Sequence, residues 1–99
     1  MDLAIQHFIK ALEAQRNSSA NTVGAYRTDL RQLRDFAERR GIRSWDQMTP
    51  DLVASFVEHL KARQYAATSI ARKVAAIKSF FHYMRATQRL AEDPTADLE

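Results

Sequence analysis

Cysteine is absent from this chain of 99 residues, which excludes a disulfide framework and thiolate metal sites. Glycine and proline each occur only twice, so few positions mark turns. No apolar run approaches the ~20 residues that a membrane-spanning helix needs. The first residues alternate polar and apolar side chains and do not resemble a signal peptide. These absences favour a single helical domain of the cytoplasm, without a membrane partner.

Acidic residues are missing from a third of the chain. The stretch from Leu60 to Ala91 holds seven Lys or Arg and no Asp or Glu, although the whole chain has a net charge of only +3. The eight residues after it include four acidic ones: Glu92, Asp93, Asp97 and Glu99. Charge segregated in this way indicates either an ordinary solvated helix face or a surface for an anionic partner.

The apolar spacing predicts four helices and no strand, because apolar residues recur at helical period and β-branched residues never alternate. The first is expected near Leu3–Gln15, after which "RNSSAN" interrupts the pattern. The second runs from about Ala20 to Arg40, with Gly41 as its stop. The third begins at Pro50 behind a Thr49 cap. The fourth spans about Ala67–Gln88. The predicted fold is a compact all-α four-helix bundle over residues 1–90, followed by an acidic linker or tail, 91–99.

The fourth helix has a basic, small-residue side. Its predicted core stripe, centred on Ile70, is Ile70, Val74, Ile77, Phe81 and Met84. At about 100° per residue, the opposite side then holds Thr68, Ser69, Arg72, Ala76 and Ser79, with Lys73 at its edge. Small side chains permit close approach to a phosphate backbone, and hydroxyls and first-turn N–H groups donate to phosphate oxygens. The pattern favours nucleic acid over a bare solvated face.

The second helix begins in a similar way. "NSSANT" supplies hydroxyl and amide groups at its start, and Arg27, Arg31 and Arg34 follow as a stripe. Asp35 and Glu38 lie beside the lower half of that stripe, which is therefore expected to be salt-bridged. Two helices of this kind suit insertion into one groove of DNA. That geometry predicts that both N-termini open on one side, with neither Asp29 nor Asp35 between them.

Several motifs in order carry a family resemblance. They are Thr22-x-x-x-Tyr26-x-x-Asp29-Leu30, then Thr49-Pro50, then Ser69-x-x-Arg72 with Ile77-x-x-Phe80-Phe81, and finally "EDP". Together they resemble the N-terminal core-binding domain of tyrosine recombinases of the phage-integrase and Xer type. The resemblance covers about Ile5 to Leu98.

The resemblance implies a small helical bundle, described as SAM-like, that forms half of a clamp on duplex DNA at the crossover site of integration and recombination. It implies DNA contacts at Asn21, Thr22, Ala25, Arg27 and Thr28 on the second helix, and at Thr68, Ser69, Arg72, Lys73 and Ala76 on the fourth. Tyr26 and Leu30 are expected in the core. Two departures are Gly24 inside the second helix and Ala66 where a Ser cap is common.

The resemblance also implies that the chemistry lies elsewhere. The family's nucleophilic Tyr, two Arg and His-x-x-Arg box belong to a C-terminal catalytic domain, which needs no metal or high-energy cofactor. His82-Tyr83-Met84-Arg85 spells the box, but Met84 belongs to the core stripe and no second Arg and Tyr accompany it. We therefore expect no enzyme activity and no cofactor in this chain. Its expected partners are duplex DNA, a catalytic domain of the same parent chain and neighbouring recombinase protomers.

Two alternatives remain open from the residues. A helical protein-interaction module would expose hydrophobic side chains outside the core, with Phe36, Phe80 and Tyr83 as one patch. An acidic residue between the two helix starts would also favour that alternative. A standalone DNA-binding regulator built from the same domain is the other.

Overall fold

The computed structural model describes residues 1–15 and 18–98, so Arg16, Asn17 and Glu99 lie outside the described residues. The described chain is all-α, as predicted. Four helices follow one another, α1 (Asp2–Glu13), α2 (Ala20–Arg39), α3 (Pro50–Ala62) and α4 (Ala67–Ala86), with one 3₁₀ turn, Trp45–Gln47, between α2 and α3. None of the helices in the described ranges is long and apolar enough to cross a membrane.

Two of the four helices, α2 and α3, begin with a side-chain cap. The Ser19 hydroxyl accepts from the backbone N–H of Thr22 at 3.0 Å and begins α2. Thr49 accepts from the N–H of Leu52 at 3.1 Å, and Pro50 is the first residue of α3, as the sequence predicted. Ala66, before α4, makes no such bond. The first turn of α4 therefore lacks the side-chain acceptor that the other two starts have.

The ends of α2, α3 and α4 share one closure. Gly41 has φ of 84°, and the N–H of Ile42 reaches back to the carbonyl of Ala37 at 3.1 Å. Gln64 and Gln88 take the same left-handed conformation after α3 and α4, each with φ of 62°. Glycine adopts this conformation readily, which explains why Gly41 could be read from the sequence as a stop. The two glutamines gave no comparable signal.

The core is centred on aromatic side chains of α4. Phe80 and Phe81 are fully buried, and the Trp45 ring packs edge-on against both, with ring centroids at 4.9 and 5.7 Å. Phe8 of α1 packs on Phe80 at 5.6 Å. Trp45 donates its indole N–H to the carbonyl of Met1 at 2.9 Å. Trp45 is only 4% exposed, so the loop between α2 and α3 contributes to the core.

The rotation of α4 differs from the prediction. Its buried residues are Lys73, Ala76, Ile77, Phe80, Phe81 and Met84, whereas Ile70 and Val74 are only half-buried. The centre of the core face lies nearer Lys73, about 60° round the helix from Ile70 at 100° per residue. The prediction that Ile70 is the centre of the core face was wrong because Lys73, a polar residue assigned to the edge of the surface, lies inside the core face. Phe80, predicted off the main stripe, lies in the core.

The tail also differs from the prediction. A linker leaving the domain was expected over residues 91–99, but its described part folds back. Thr95 is buried, and both its N–H and its hydroxyl donate to Asp93 Oδ1, at 2.7 and 2.6 Å. Lys78 donates to the Leu98 carbonyl at 2.8 Å. Four acidic side chains suggested solvent, but Leu90 and Leu98 pack against the hydrophobic core.

Candidate nucleic-acid interface

The α2 residues of the predicted interface lie on the first half of that helix. Asn21, Thr22 and Thr28 are exposed, while Ala25 and Arg27 are half-buried. The Thr28 hydroxyl donates to the carbonyl of Gly24 at 3.1 Å, and the Ser19 hydroxyl donates to Thr22 Oγ1 at 2.9 Å. Each threonine Oγ can accept one further hydrogen bond. The Thr28 hydroxyl lies beside the α2 backbone at Gly24.

Arg27 lies on a different flank of α2 from the residues that face α4. It lines a cleft between α1 and α2 together with Lys10, Glu13 and Arg31. The stripe of arginines thus follows the α1 side of the helix. Arg27 and Arg72 therefore lie on two different flanks of α2 and do not form one patch. A common partner would have to contact both flanks.

Arg34, at the C-terminal end of the arginine stripe, is paired with carboxylates. It bonds Asp2 of α1, lies 3.0 Å from Asp35 Oδ1, and lies 3.7 Å from Glu38. The hydrogen bonds to Asp2 and Asp35 raise the pKa of Arg34, and the hydrogen bond from Arg34 lowers the pKa of Asp2. The expectation that the lower half of the stripe is an ordinary salt-bridged face is confirmed.

The α4 residues divide into two groups. Thr68 and Arg72 are exposed and Ser69 is half-buried. Lys73 is only 5% exposed and Ala76 is fully buried, so the expectation that these two lie on the surface is wrong. The rotation of the helix towards Lys73 moves both inward. It leaves an exposed side that we call the α4 outer face, consisting of Thr68, Ala71, Arg72, Ala75, Ser79 and His82.

A carboxylate lies between α2 and α4, contrary to the prediction. Asp29 is fully buried. Its Oδ2 accepts from Arg72 Nε at 3.0 Å, and its Oδ1 accepts from Arg72 Nη2 and from Lys73 Nζ, both at 2.9 Å. The groove-binding geometry was predicted to have no acid here, and in that form it is wrong. That both helix N-termini open on one side stays a prediction.

The buried cluster has further members. Lys73 Nζ also donates to Gln32 Oε1 at 2.7 Å, and Gln32 Nε2 donates to the Tyr65 hydroxyl at 3.0 Å. The Lys73 ammonium lies 5.1 Å from the centre of the Tyr65 ring. Among the described residues, no buried side-chain nitrogen or oxygen lacks a partner. The cluster therefore joins α2, α4 and the turn before α4 without leaving an unpaired buried charge.

The charge of this cluster is carried at the surface. Lys73 and Asp29 are both buried and neutralise each other, so one positive charge remains from two cations and one carboxylate. Arg72, whose side chain is 46% exposed, is the member in contact with solvent. Hydrogen bonding to Asp29 raises the pKa of Arg72, and an arginine side chain is in any case cationic at every physiological pH. The acid between the helices thus leaves the α4 outer face positive.

Sequence reasoning named Asp29 in a motif and as an acid expected to be absent between the helix starts, and it missed Gln32 and Tyr65. A signal was present, because Asp29 follows Tyr26 by three residues and precedes Leu33 by four, which places it on the buried side of α2. A carboxylate at such a position needs a cationic partner. Arg72 and Lys73 are adjacent cations near the start of α4, and they supply it.

The described residues were expected to hold neither a metal site nor a functional His-x-x-Arg box. No group of three or more His, Cys, Asp or Glu in residues 1–15 and 18–98 is placed to hold a metal ion. In the His82–Arg85 pattern, Met84 is buried, and the Tyr83 ring packs against Phe8 at 5.5 Å. Tyr83, expected outside the core stripe, is half-buried and packs against α1, while Met84 is in the core as predicted.

Known proteins with similar sequences are recombinases. The phage integrase, N-terminal SAM-like domain family matches residues 5–88. Tyrosine recombinase XerC of Roseiflexus sp. (strain RS-1) is 39% identical over all 99 residues, which make up 32% of that protein. XerC of Herpetosiphon aurantiacus is 37% identical over the same length, again 32% of the relative. XerD of Agrobacterium fabrum is 35% identical over 96% of the chain and 28% of the relative.

The family match and these relatives agree on one region. The chain spans about a third of the length of the curated relatives that it matches, and the matching family describes an N-terminal domain. The all-α fold and the ordered motifs of α2 and α4 agree with that assignment. This chain belongs to the phage integrase N-terminal SAM-like domain family.

Proposed function

We propose that this chain binds duplex DNA as the core-binding domain of a site-specific tyrosine recombinase, clamping the crossover site during integration and recombination. The observation that carries the proposal is the α4 outer face, which combines Arg72 with hydroxyls and alanines. Ala67 to Arg89 contains no acidic residue. A helix with this surface approaches a phosphate backbone closely and donates to it. Its chemistry would come from a catalytic domain of the same parent chain.

The proposed contacts are all exposed or half-buried residues. On α2 they are Asn21, Thr22, Ala25, Arg27 and Thr28, and on α4 they are Thr68, Ser69, Arg72, Ala75 and Ser79. Lys73 and Ala76 are not proposed as direct contacts, since both are buried. Lys73 instead neutralises Asp29, and Ala76 packs inside the bundle. The revised surface has fewer free cations than the sequence suggested.

Burial of the aromatic residues weighs against a protein-interaction module. Phe36 is 6% exposed and Phe80 is fully buried, so the patch expected of Phe36, Phe80 and Tyr83 does not form. Among the described residues, Leu3 of α1 is the one large hydrophobic side chain that is exposed. A partner helix would find little apolar surface. Contacts with neighbouring recombinase protomers remain part of the proposal, with DNA as the main partner.

A DNA titration tests the proposal. We expect weak binding to duplex DNA, with Kd of about 10⁻⁴ to 10⁻⁶ M and little sequence selectivity. Because Arg27 and Arg72 are the two cations among the proposed contacts, the log Kd–log salt slope should have a magnitude of roughly 2. Fluorescence anisotropy of a labelled duplex at several salt concentrations measures both quantities. Polyglutamate serves as the control anion: equal binding to it, or no binding to DNA at low salt, contradicts the proposal.

Gly24 provides a second test. A Cβ added at Gly24 would meet nothing within 4 Å, so the fold does not require glycine there. Gly24→Ala should stabilise the helix by about 0.5–1 kcal/mol and should weaken DNA binding, because a methyl group would hold the α2 backbone away from a phosphate. Thermal unfolding and the same titration measure the two effects. A stabilised variant with unchanged affinity would show that DNA does not approach α2 at this residue. Ala75→Gly on the α4 outer face is the converse control, because it should lower the stability of the helix without adding bulk to the surface proposed to contact DNA.

A further inference from the structure

Arg72 has two distinct edges, and the residues in 1–15 and 18–98 occupy only one of them. Its Nε and Nη2 donate side-on to the two oxygens of Asp29, at 3.0 and 2.9 Å. A guanidinium has five N–H donors in a rigid plane. The side-on pairing uses two of them, and the end-on edge, with one N–H on each terminal nitrogen, remains for another acceptor. We propose that Asp29 is a positioning residue that holds Arg72 so that this end-on edge binds a pair of acceptors on DNA.

The support behind Arg72 is rigid and buried. Asp29 is itself fixed by Lys73 at 2.9 Å, and Lys73 is fixed by Gln32 at 2.7 Å. These three side chains belong to two helices that pack on each other, and the aromatic ring of Tyr65 lies over the lysine ammonium. A free arginine loses side-chain conformational freedom when it binds. An arginine already held on one edge loses less, which strengthens the bond that its other edge makes.

The burial of Lys73 gives this arrangement its charge. With Asp29 alone, Arg72 would belong to a neutral pair and would attract phosphate weakly. Lys73 neutralises the carboxylate from inside, at 5% exposure, and the remaining positive charge lies on the half-exposed Arg72. Asp29 therefore orients Arg72 without cancelling its attraction for an anion. Because Asp29 and Lys73 are both buried, they would affect DNA binding only through Arg72.

The geometry identifies the ligand by its chemistry. Two parallel N–H groups in one plane match two acceptors about the same distance apart, as on a phosphate with two free oxygens or on the N7 and O6 atoms of guanine. A lysine ammonium supplies the charge without this fork. The inference rests on the proposed DNA-binding function. It adds that the end-on edge of Arg72 binds the DNA and that Asp29 orients this edge.

Charge-matched variants separate orientation from charge. Arg72→Ala removes both, whereas Arg72→Lys keeps the charge and removes the fork. The double variant Asp29→Asn with Lys73→Met removes one negative and one positive charge, so net charge stays the same and Arg72 loses its carboxylate. Arg43→Ala, on the exposed loop after α2, is the control for loss of one remote cation. Circular dichroism and the Trp45 indole N–H resonance verify folding of each variant.

We expect Arg72→Ala to weaken duplex binding about five- to tenfold and to reduce the salt slope by about one, as for loss of one phosphate or base contact. Arg72→Lys and the double variant should also weaken binding at least threefold, with a salt slope within about 0.3 of the unmodified chain. Arg43→Ala should change affinity less than twofold. If the double variant does not fold, Arg72→Lys alone decides between orientation and charge.

Two results would overturn the inference. If the folded double variant binds like the unmodified chain while Arg72→Ala binds less, Asp29 is structural and does not position Arg72; if Arg72→Lys also binds like the unmodified chain, Arg72 acts as a plain charge. If Arg72→Ala changes nothing, Arg72 is not a contact. Either result leaves the proposed function standing, provided that the unmodified chain binds DNA. Absence of binding by the unmodified chain contradicts the proposed function itself, and the inference falls with it.

The source of the acceptors follows from two duplexes of equal length, one containing only A·T pairs and one rich in G·C pairs. A phosphate ligand predicts the same loss for Arg72→Lys on both duplexes. A guanine ligand predicts a loss on the G·C duplex alone. Both outcomes support a bidentate acceptor, and no loss on either duplex contradicts it.

Discussion

Replacing Phe80 by alanine should lower the free energy of unfolding by about 3–5 kcal/mol, the range for truncating a buried aromatic residue. Phe80 is fully buried and packs edge-on against Trp45, Phe8 and Phe81. Removing the ring leaves a cavity whose walls come from three different elements and cannot all close on it. Urea denaturation followed by Trp45 fluorescence measures the change.

His82→Ala is the matched control for Phe80→Ala. It lies two residues further along α4 on the exposed side and should change stability by less than about 0.5 kcal/mol. Equal, small effects at both positions would place Phe80 on the surface. That outcome would restore the aromatic patch expected of a protein-interaction module.

Replacing Asp29 by asparagine should cost about 3–5 kcal/mol, because it leaves the buried Lys73 ammonium without its carboxylate. The change is nearly isosteric, so packing is preserved and loss of charge is the main effect. Equilibrium denaturation in urea again measures the loss. Asp35→Asn is the control, since Asp35 is exposed on the same helix and bonds Arg34 at the surface. It should cost less than about 1 kcal/mol.

The double variant Asp29→Asn with Lys73→Met extends this test. Removing both charges together avoids an unpaired ion, and a buried ion pair replaced by neutral groups is often nearly as stable. We therefore expect the double variant to recover much of the stability lost in Asp29→Asn. Strictly additive losses from the two substitutions would show that Asp29 and Lys73 do not interact. The buried cluster would then be wrong as described.

The fold was predictable because its signals are local. Thr49 and Pro50 marked the start of α3, Gly41 marked the end of α2, and apolar residues at helical spacing marked the four helices. Each of these signals concerns one helix and its nearest turn. They required no knowledge of how the helices pack on one another.

The site was only partly predictable because it depends on contacts between helices. On a wheel, Lys73 is a polar residue and is assigned to the edge of the surface. In the fold it lies inside, since Asp29 of α2 neutralises it and Tyr65 covers it. The folded-back tail has the same kind of cause: its acidic residues suggested solvent, while Leu98 packs on the core and accepts a hydrogen bond from Lys78 of α4. Partners far apart in sequence decide both cases.

The most direct measurement of the central claim is a titration of the ¹⁵N-labelled chain with a short duplex, followed by amide chemical shifts. DNA binding by the α2–α4 surface predicts the largest shifts at Asn21, Gly24 and Thr28 and along Thr68–Arg72, with a shift of the Arg72 Nε–H resonance. The exposed side of α3, at Ser55 and Glu58, should remain unchanged. Shifts confined to α3 or to the α1 side around Leu3, or no shifts at low salt, would contradict the account.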